Sequence, residues 1–549
     1  MSTILQTPTP RVGTKGAQPQ QAQRSLKALL ARQWRTLKGQ FIVYAGLILL
    51  LAGVMTLVAS TSLNRASTDL VTIDQGSIPS VNYAQSMAQL VSQIDAQSAD
   101  FLAAAGLTNT RPCTIQTSLT RPDQVETLTV HDCDAHSIDA ETVLINEQLF
   151  NAEHNVTYTG EQTAVERIST GLESYLGDIH QMRVDYDLAK SKTDPNDSAL
   201  QQAYQAYLAG SAILHDKINL PTINANQIPL DTEANLPLCQ SSDGKINYSP
   251  EQWTQGSLSV ALDCLSSINH HALEQANTDA NSFLGGTFWL LLFLGVLLSG
   301  LLIFSTIRMM AASHRAINPG LLPAALIALI LGVSLLGLVN SLGKQGDHTG
   351  WQADPVSHID QAASIDGAFQ QMVSDNYDSV YDAAILTRYA TDANADESRW
   401  LIAQEFNDTA NIQRWQTDWQ YNVGQVHYWM QNAQNNLTWT EEQSPLQQMT
   451  TNWNQYVNID GQIRSDATNQ RDPNHLLTAE ALSTGNSNSA FGHFTDAVSQ
   501  LSAADQGHYN TTRDATSQSL GLSFLLSLVL FPLTGLLAVW GVWLRLKDF

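Results

Sequence analysis

The stretch FIVYAGLILLLAGVMTLVASTSL, residues 41–63, has no charged side chain and is long enough to cross a lipid bilayer as one helix. A helix needs about 20 mostly apolar residues to span the hydrocarbon core. Three more stretches meet the same requirement, and they are residues 286–307, 320–342 and 521–544. The sequence therefore predicts an integral membrane protein with four spans, which we number spans 1 to 4 in chain order.

Two long polar segments lie between the spans: the first outer segment, residues 64–285, and the second outer segment, residues 343–520. The first has 9 Lys and Arg against 28 Asp and Glu, and the second has 7 against 22. Basic residues outnumber acids only in residues 1–40, 308–319 and 545–549. Because Lys and Arg beside a span are retained in the cytoplasm, we expect both termini in the cytoplasm of the cell and both outer segments outside the cell membrane.

All four cysteines of the chain lie in the first outer segment. An even number of cysteines in a segment exposed to an oxidising compartment favours disulfide bonds. Four cysteines allow three pairings, and short loops favour Cys113 with Cys133 and Cys239 with Cys264. Four free thiols are the alternative that the sequence leaves open.

Apolar residues in both outer segments recur at intervals of three and four, which is the spacing of one buried stripe on a helix. Met87, Val91 and Ile94 show this spacing in the first segment, and Phe369 and Val373 show it in the second. We expect an all-α membrane protein in which the outer segments form two duplicated antiparallel four-helix bundles, as in many membrane sensors. Clusters of turn-forming residues mark the expected breaks, at residues 108–112, 192–197, 221–237, 471–473 and 483–489.

The last apolar stripe of each outer segment runs into the next span without a turn signal. One continuous helix is therefore expected at the entry to span 2 and another at the entry to span 4. A helix shared between two compartments can transmit a small displacement from one to the other.

The two outer segments also resemble each other in sequence. At an offset of 281 positions, residues 157–162 (TYTGEQ) align with residues 438–443 (TWTEEQ). A second short alignment, at a different offset, places Asp139 over Asp396. The chain is therefore predicted to be an internal duplication, in which each copy consists of a span, an outer segment and a second span.

Aromatic residues mark a candidate contact surface in the second outer segment. Trp415, Trp419 and Trp429 crowd one predicted helix, and they would form either a face for a partner or ligand or an aromatic bundle core. Arg308 and Arg315, between spans 2 and 3, are the candidate contacts for a partner inside the cell.

No catalytic or cofactor-binding pattern is present in the sequence, because it has no phosphate loop, zinc-protease motif or nucleophile elbow. His270 and Glu274 are one helical turn apart and could ligate a metal, although a solvated or hydrogen-bonded helix face is the commoner outcome. The spans contain no ionisable residue, which argues against an ion or substrate pathway. The formal net charge of −24 argues against nucleic-acid binding. We expect a protein that is not an enzyme and has no metal or other cofactor.

Several short motifs resemble those of a family of actinobacterial four-span membrane proteins. They are residues 169–177 (STGLESYLG), Arg183 with residues 203–211 (AYQAYLAGS), residues 393–401 (ANADESRWL) and residues 540–546 (WGVWLRL). The family is similar to the glutamine- or glutamate-sensing partner of an amino-acid-binding lipoprotein and a G-type serine/threonine kinase. The resemblance implies that the outer segments receive the loaded solute-binding protein. The cysteine-bearing loops depart from the family pattern, and no binding residue is carried over.

Together these features predict a transmembrane sensor or adaptor that relays amino-acid availability from a solute-binding lipoprotein to a cytoplasmic serine/threonine kinase. Direct binding of a small ligand between bundle helices is the first alternative. An envelope scaffold or an accessory transporter subunit is the second.

Overall fold

The structure is a computed structural model, and it describes residues 36–104, 107, 110–115, 124–158, 160–215, 258–313, 318–344, 346, 359–361 and 365–546. The chain forms two compact units. The apolar unit comprises Met1–Arg65, Gly286–Val339 and Ser519–Phe549, and the polar unit comprises Ala66–Gly285 and Asn340–Gln518.

The described chain is almost entirely helical. The elements of its first half are α1 (Leu37–Thr72), a π-helical segment (Ile73–Ser77), α2 (Ile78–Ala103), β1 (Thr110–Ile115), β2 (Gln124–Thr129), α3 (Val130–His154), α4 (Glu161–Leu188), α5 (Ser198–Leu214) and α6 (Leu258–Ser313). Those of its second half are α7 (Leu321–Gly343), a short helical turn (Ala368–Gln370), a π-helical segment (Gln371–Tyr377), α8 (Asp378–Glu405), α9 (Thr409–Asn435), a 3-10 turn (Thr440–Glu442), α10 (Gln443–Ala467), α11 (His475–Leu482), a π-helical segment (Ser483–Ser487) and α12 (Asn488–Leu546).

Four helices are long and apolar enough to cross a membrane, and they contain the four predicted spans. Span 1 lies in α1, span 2 in α6, span 3 in α7 and span 4 in α12. Helices α6 and α12 each begin in the polar outer segment and continue through the span. This continuity is what the missing turn signals predicted.

In the apolar unit, the start of α7 lies very close to α12. A Cβ atom at Gly320 would overlap the backbone of Gly541, and one at Gly541 would overlap Gly320. Asn318 holds this contact, because its Oδ1 accepts hydrogen bonds from the backbone N–H groups of Gly320 (3.0 Å) and Leu321 (3.1 Å). Its Nδ2 donates to the Gly541 carbonyl at 3.2 Å. Small residues let helix backbones approach closely in membranes, so these glycines set the spacing of the two helices.

In the polar unit, helices from both outer segments pack together. Helix α2 packs against α3 in its own segment and against α8 in the other. Tyr377 contributes to this junction, since its Oη donates to Asn82 Oδ1 at 3.2 Å. The expected arrangement as two separate four-helix bundles is therefore not confirmed, because both outer segments contribute to a single compact unit.

A β-hairpin occupies part of the first outer segment, where the sequence predicted a break at residues 108–112 and no strand. Strand β1 pairs antiparallel with β2, and Cys113 lies opposite Glu126. Cys113 forms a disulfide with Cys133 near the start of α3, which confirms that predicted pairing. Pro112 lies within β1, and a proline inside a short segment argues against a strand when only the sequence is read. This explains why the hairpin was missed.

Residues 483–489 continue the helical path, although the sequence predicted a break there. Ser483–Ser487 is a π-helical segment between α11 and α12. Ser483 Oγ donates to Glu397 Oε1 at 2.6 Å, and Ser487 Oγ donates to Glu397 Oε2 at 2.9 Å. The small polar residues that suggested a turn are therefore donors to a buried carboxyl group.

The loop before the third helix of each outer segment has the same hydrogen bonds. Glu161 accepts from the backbone N–H groups of Thr157 and Tyr158. Glu442, which lies 281 positions after Glu161, accepts from the backbone N–H of Thr438 at 2.8 Å. The aligned motifs TYTGEQ and TWTEEQ therefore form one local structure twice.

Each of these two loops also contacts the π-helical segment of its own outer segment. Tyr158 Oη lies 2.5 Å from Ser77 Oγ. Trp439 Nε1 donates to Asn376 Oδ1 at 2.9 Å. The two π-helical partners are 299 positions apart, so the duplication extends to the first helix of each segment.

The second alignment, of Asp139 with Asp396, is wrong. Asp139 lies on α3, the second helix of its segment, whereas Asp396 lies on α8, the first helix of its segment. An acidic residue followed by apolar ones recurs on any amphipathic helix, so a match of so few residues does not identify equivalent helices.

We predict that the Gly541→Ala variant of the full-length protein is less stable than the wild type. The added methyl group must displace the Gly320 backbone or Asn318, and overpacking of this kind costs about 1–3 kcal/mol. Thermal unfolding of the protein in detergent measures the loss. Gly332→Ala is the matched control, because a Cβ at Gly332 meets nothing within 4 Å, and equal melting temperatures for the two variants would contradict the prediction.

Candidate functional site

The centre of the polar unit is formed by a five-residue part of α8, residues 396–400, which we call the DESRW segment. All five of its side chains are buried. Successive residues on a helix are rotated by about 100°, so neighbouring side chains enter different parts of the core. The DESRW segment therefore contributes to two polar clusters at once.

The first of these, the arginine cluster, consists of Arg399, Asp95, Asp396, Tyr207 and His215. Arg399 Nε donates to Asp95 Oδ2 at 2.8 Å and to Tyr207 Oη at 3.3 Å. Its Nη1 donates to Asp396 Oδ1 at 2.5 Å, and its Nη2 donates to Asp95 and to His215 Nε2. The Arg399 side chain is 1% exposed. Three members come from the first outer segment and two from the second, so the cluster joins the segments.

The two aspartates of the arginine cluster differ in ionisation. Burial alone would raise the pKa of Asp95, but the charge of Arg399 and the hydrogen bonds to the Asp95 carboxylate lower it to about 2. Burial dominates at Asp396 and raises its pKa despite Arg399. Asp396 Oδ2 also accepts a hydrogen bond from Asn422 at 2.8 Å. Asp95 is therefore the ionised partner of Arg399 at neutral pH.

The second, the glutamate cluster, consists of Glu397, Ser483, Ser487 and Tyr456. The two serine hydroxyls donate to Glu397, as described above, and Tyr456 is fully buried beside it. Burial raises the pKa of Glu397 to about 8, and the nearby Asp460 adds to this shift. Burial and then the charge of Glu397 raise the pKa of Tyr456. A carboxyl group in this setting is largely protonated at neutral pH.

Trp400, the last residue of the DESRW segment, packs beside the glutamate cluster. The Arg464 guanidinium lies 4.7 Å from the Trp400 ring and 4.7 Å from the Trp419 ring. Arg464 Nε donates to Asp460 Oδ2 at 2.8 Å, and its Nη1 donates to Gln416 Oε1 at 2.6 Å. Cation–π contacts and hydrogen bonds hold this guanidinium between three helices.

The ionisable side chains of the DESRW segment form their hydrogen bonds and ion pairs with other side chains of the polar unit. The ionisable groups of Asp396, Glu397 and Arg399 lie 0–2% exposed and are bonded to other side chains of the polar unit. Removing one partner of such a pair leaves an uncompensated buried charge. The segment is therefore suited to fixing the two outer segments in one arrangement, and not to acting on an external substrate.

Two of the three predicted tryptophan contacts are buried: Trp415 is 1% exposed and Trp429 is 5% exposed. Trp415 stacks under Arg399, with 5.1 Å between the guanidinium carbon and the ring centre. Trp419 is partly buried and stacks with Arg464. These positions favour the alternative of an aromatic core over a face for a partner.

The remaining predicted residues are dispersed. Arg308 is exposed on α6, with its guanidinium 5.9 Å from the ring centre of Phe304. Cys264 is disulfide-bonded. Arg315 and Cys239 lie outside the described residues.

The candidate metal pair His270 and Glu274 is not brought together as a metal site. His270 is buried, and its Nε2 lies 3.2 Å from Asp378 Oδ1 while its ring stacks on Tyr381. Among the residues that the structure describes, no group of three or more His, Cys, Asp or Glu side chains could hold a metal ion.

The central residues Asp95, Tyr207, His215 and Arg399 were not predicted as a site. Tyr207 and Arg399 do lie in two of the motifs that carry the family resemblance, residues 203–211 and 393–401. The resemblance assigned no role to either residue. Asp95 and His215 have no sequence signal, because their partner Arg399 lies 304 and 184 positions away.

Comparison of the chain with protein-family models, with curated proteins and with solved structures gave no match.

We predict that Arg399→Met strongly destabilises the polar unit, because the buried Asp95 then loses its charged partner and keeps the weaker contacts with Tyr175 and His215. Breaking a buried ion pair in this way costs about 3–5 kcal/mol. Arg183→Met is the matched control, since Arg183 pairs with an Asp139 side chain that is 62% exposed, and exposed pairs contribute about 0–1 kcal/mol. Chemical unfolding of the full-length protein measures both losses, and equal losses would contradict the buried pairing.

We also predict a pH effect at Glu397. Its pKa rises from 4.5 in the unfolded chain to about 8 in the folded protein, so the folded state binds the extra proton between these values. The stability that this group contributes is complete below pH 4.5 and is lost as the pH rises to about 8. Glu397→Gln should therefore melt at a higher temperature than the wild type at pH 8.5, with a smaller difference at pH 5. The exposed Glu173→Gln is the control, and a parallel pH profile for both variants would refute this role.

Proposed function

We propose that the protein is a non-enzymatic transmembrane sensor or adaptor. The polar unit would receive a solute-binding lipoprotein loaded with an amino acid and would change the state of a cytoplasmic partner, a serine/threonine kinase. The observation that carries this proposal is the DESRW segment, because one short stretch of helix fixes both outer segments to each other.

The arginine cluster supports a role in coupling. Its members come from α2, α5 and α8 and from His215 directly after α5. A displacement of one of these helices must change the ion pair of Arg399, which tolerates little misalignment because the guanidinium is buried. Packed elements of this kind switch between discrete arrangements rather than deforming gradually.

The helices that enter the spans support a path for the signal. Helices α6 and α12 each contain residues of both the polar unit and the apolar unit. A change in the packing of their polar ends would therefore act on the same helices that contain spans 2 and 4. The required coupling is modest, at about 1–3 kcal/mol.

The identity of the signal rests on the sequence. The resemblance at residues 169–177, 203–211, 393–401 and 540–546 is to proteins that sense glutamine or glutamate. The charge distribution favours a location of the acidic outer segments outside the cytoplasm. A partner that binds one arrangement of the polar unit more tightly than another is sufficient to shift its population.

The binding partner provides the test. Neighbouring genes are first searched for an amino-acid-binding lipoprotein and a serine/threonine kinase. The lipoprotein without its lipid is then titrated into the full-length protein in nanodiscs, with and without glutamine or glutamate, and binding is measured by calorimetry. We expect binding that depends on the amino acid, and phosphorylation of kinase substrates in cells that responds to it.

Arg399→Lys is the informative variant for this test. Lysine keeps the charge but cannot form the forked hydrogen bonds of arginine, so lipoprotein binding should persist while the kinase response is lost or reduced. Arg183→Lys, at the exposed pair with Asp139, should leave both unchanged. Absence of lipoprotein binding, or an unchanged kinase response in Arg399→Lys, would overturn the proposal.

One observation favours direct binding of a small ligand as a second candidate. A groove of about 440 Å³ lies between α10 and α12. Its walls are polar and mostly uncharged, and they are formed by Ser444, Gln447, Gln448, Thr451, Asn452, His493, Asp496 and Gln500. A rise in melting temperature with a free amino acid, in the absence of any protein partner and abolished by Asn452→Leu, would support this candidate.

A further inference from the structure

Two carboxyl groups meet inside the polar unit, away from the DESRW segment. Asp505 lies on α12 and is 0% exposed, and Glu442 lies in the 3-10 turn before α10 and is 2% exposed. The two side chains lie within hydrogen-bonding reach of each other. Glu442 Oε2 also accepts from the backbone N–H of Thr438.

This contact requires a proton. An ionised carboxylate can only accept hydrogen bonds, so two ionised groups would leave Glu442 Oε1 and both oxygens of Asp505 without a donor. Buried polar groups without partners are costly, and buried like charges are costlier. A single proton removes the repulsion between two buried charges and supplies one donor. The protonated group then donates to the ionised one, which gives partners to two of these three oxygens.

The surroundings offer little other compensation. The charge of Asp382 raises the pKa of Asp505, and the charge of Glu442 raises the pKa of Asp375. Both neighbours are therefore acidic. His508 is the basic group close to Glu442, and it stacks on the Trp439 ring with 3.9 Å between ring centres. The exposed Glu441 lies 3.8 Å from His508 and competes for its charge.

The duplication gives independent support. Each of the seven buried positions of α12 between residues 494 and 516 has a buried counterpart on α6 at an offset of 236 positions. Leu501 corresponds to Leu265 in this alignment, and Asp505 corresponds to Asn269, which is also 0% exposed. Asparagine has the shape of a protonated aspartic acid and cannot ionise, so the equivalent position in the first copy is permanently neutral.

We propose that Asp505 and Glu442 share one proton and form a pH-sensitive lock, which holds α12 against the turn before α10 while the proton is bound. Loss of the proton places two adjacent negative charges in the core and releases the turn. Burial and the contact with Glu442 raise the pKa of Asp505 far above its ordinary value. The lock is therefore closed at neutral pH and opens on the alkaline side. It is independent of which partner or ligand the polar unit binds.

Infrared spectroscopy tests the shared proton directly. Full-length protein in detergent at pH 7.5 should show a protonated carboxylic-acid band that the Asp505→Asn variant lacks. The Glu442→Gln variant should lack the same band. Asp496→Asn, an exposed acid on the same helix, should remove no such band. A spectrum in which neither lock variant removes the band would overturn the proposal.

Hydrogen exchange of the same protein tests the lock. In the wild type, exchange of residues 438–442 relative to Asp505→Asn at the same pH should accelerate as the pH rises from 7 to 9.5. The increase is up to about tenfold per pH unit while the pH is below the pKa of the pair, because each pH unit favours the proton-free open state about tenfold. The comparison at equal pH cancels the intrinsic pH dependence of exchange. The Asp496→Asn variant should follow the wild type. Identical exchange in the wild type and Asp505→Asn at every pH would mean that the pair is structural and not a lock.

Discussion

The buried guanidinium of Arg399 is the constraint on which the polar unit depends. A charge that is 1% exposed cannot be tolerated without close partners, since its desolvation costs several kcal/mol. Its ionised partner, Asp95, lies 304 positions earlier in the chain, on a helix of the other outer segment. Helices α2 and α8 must therefore pack against each other for either charge to be compensated. This requirement explains why two segments separated by two membrane spans form one compact unit.

The rest of the core is arranged around that junction. Glu397 and Trp400 lie on the same helix as Arg399. Glu397 accepts hydrogen bonds from two serines of the π-helical segment before α12. Trp400 packs against Arg464 of α10. The aromatic residues cover these polar groups and exclude water from them, which strengthens their mutual interactions. The tryptophans of α9 thus pack around these buried polar groups. Their burial follows from the presence of the charges they cover.

The duplicated segments share a framework and differ at its buried polar positions. The loop that precedes the third helix is the same in both copies, with Glu161 and Glu442 accepting from the equivalent backbone N–H groups of Thr157 and Thr438. Around it, a tyrosine in the first copy is replaced by Trp439, and Asn269 by Asp505. The two copies share this local backbone structure, while most of the buried acids with raised pKa values lie in the second copy. Buried acids with raised pKa values give that copy a dependence on pH that the apolar stripes alone would not.

The sequence by itself determined the features that arise from local composition. Runs of some 20 apolar residues identified the four spans, because lipid requires them, and helical periodicity identified the helices. The short spacing of Cys113 and Cys133 favoured their pairing, and the absence of turn residues predicted helices that continue into spans 2 and 4. The motifs TYTGEQ and TWTEEQ located one duplicated loop. These signals lie within a few turns of a helix, where neighbours in sequence are neighbours in space.

Only the tertiary structure decided which residues meet over long distances. The pairing of Arg399 with Asp95, the single polar unit and the burial of Trp415 and Trp429 depend on contacts between helices far apart in the chain, which leave no local pattern. The π-helical segment Ser483–Ser487 resembled a turn because its serines are small and polar, and their true role appeared only beside Glu397. The hairpin was hidden by Pro112. Many amphipathic helix surfaces look alike in sequence, and packing decides which of them meet. The physical reason is that burial and hydrogen-bond satisfaction depend on all the packed helices together and not on any one helix.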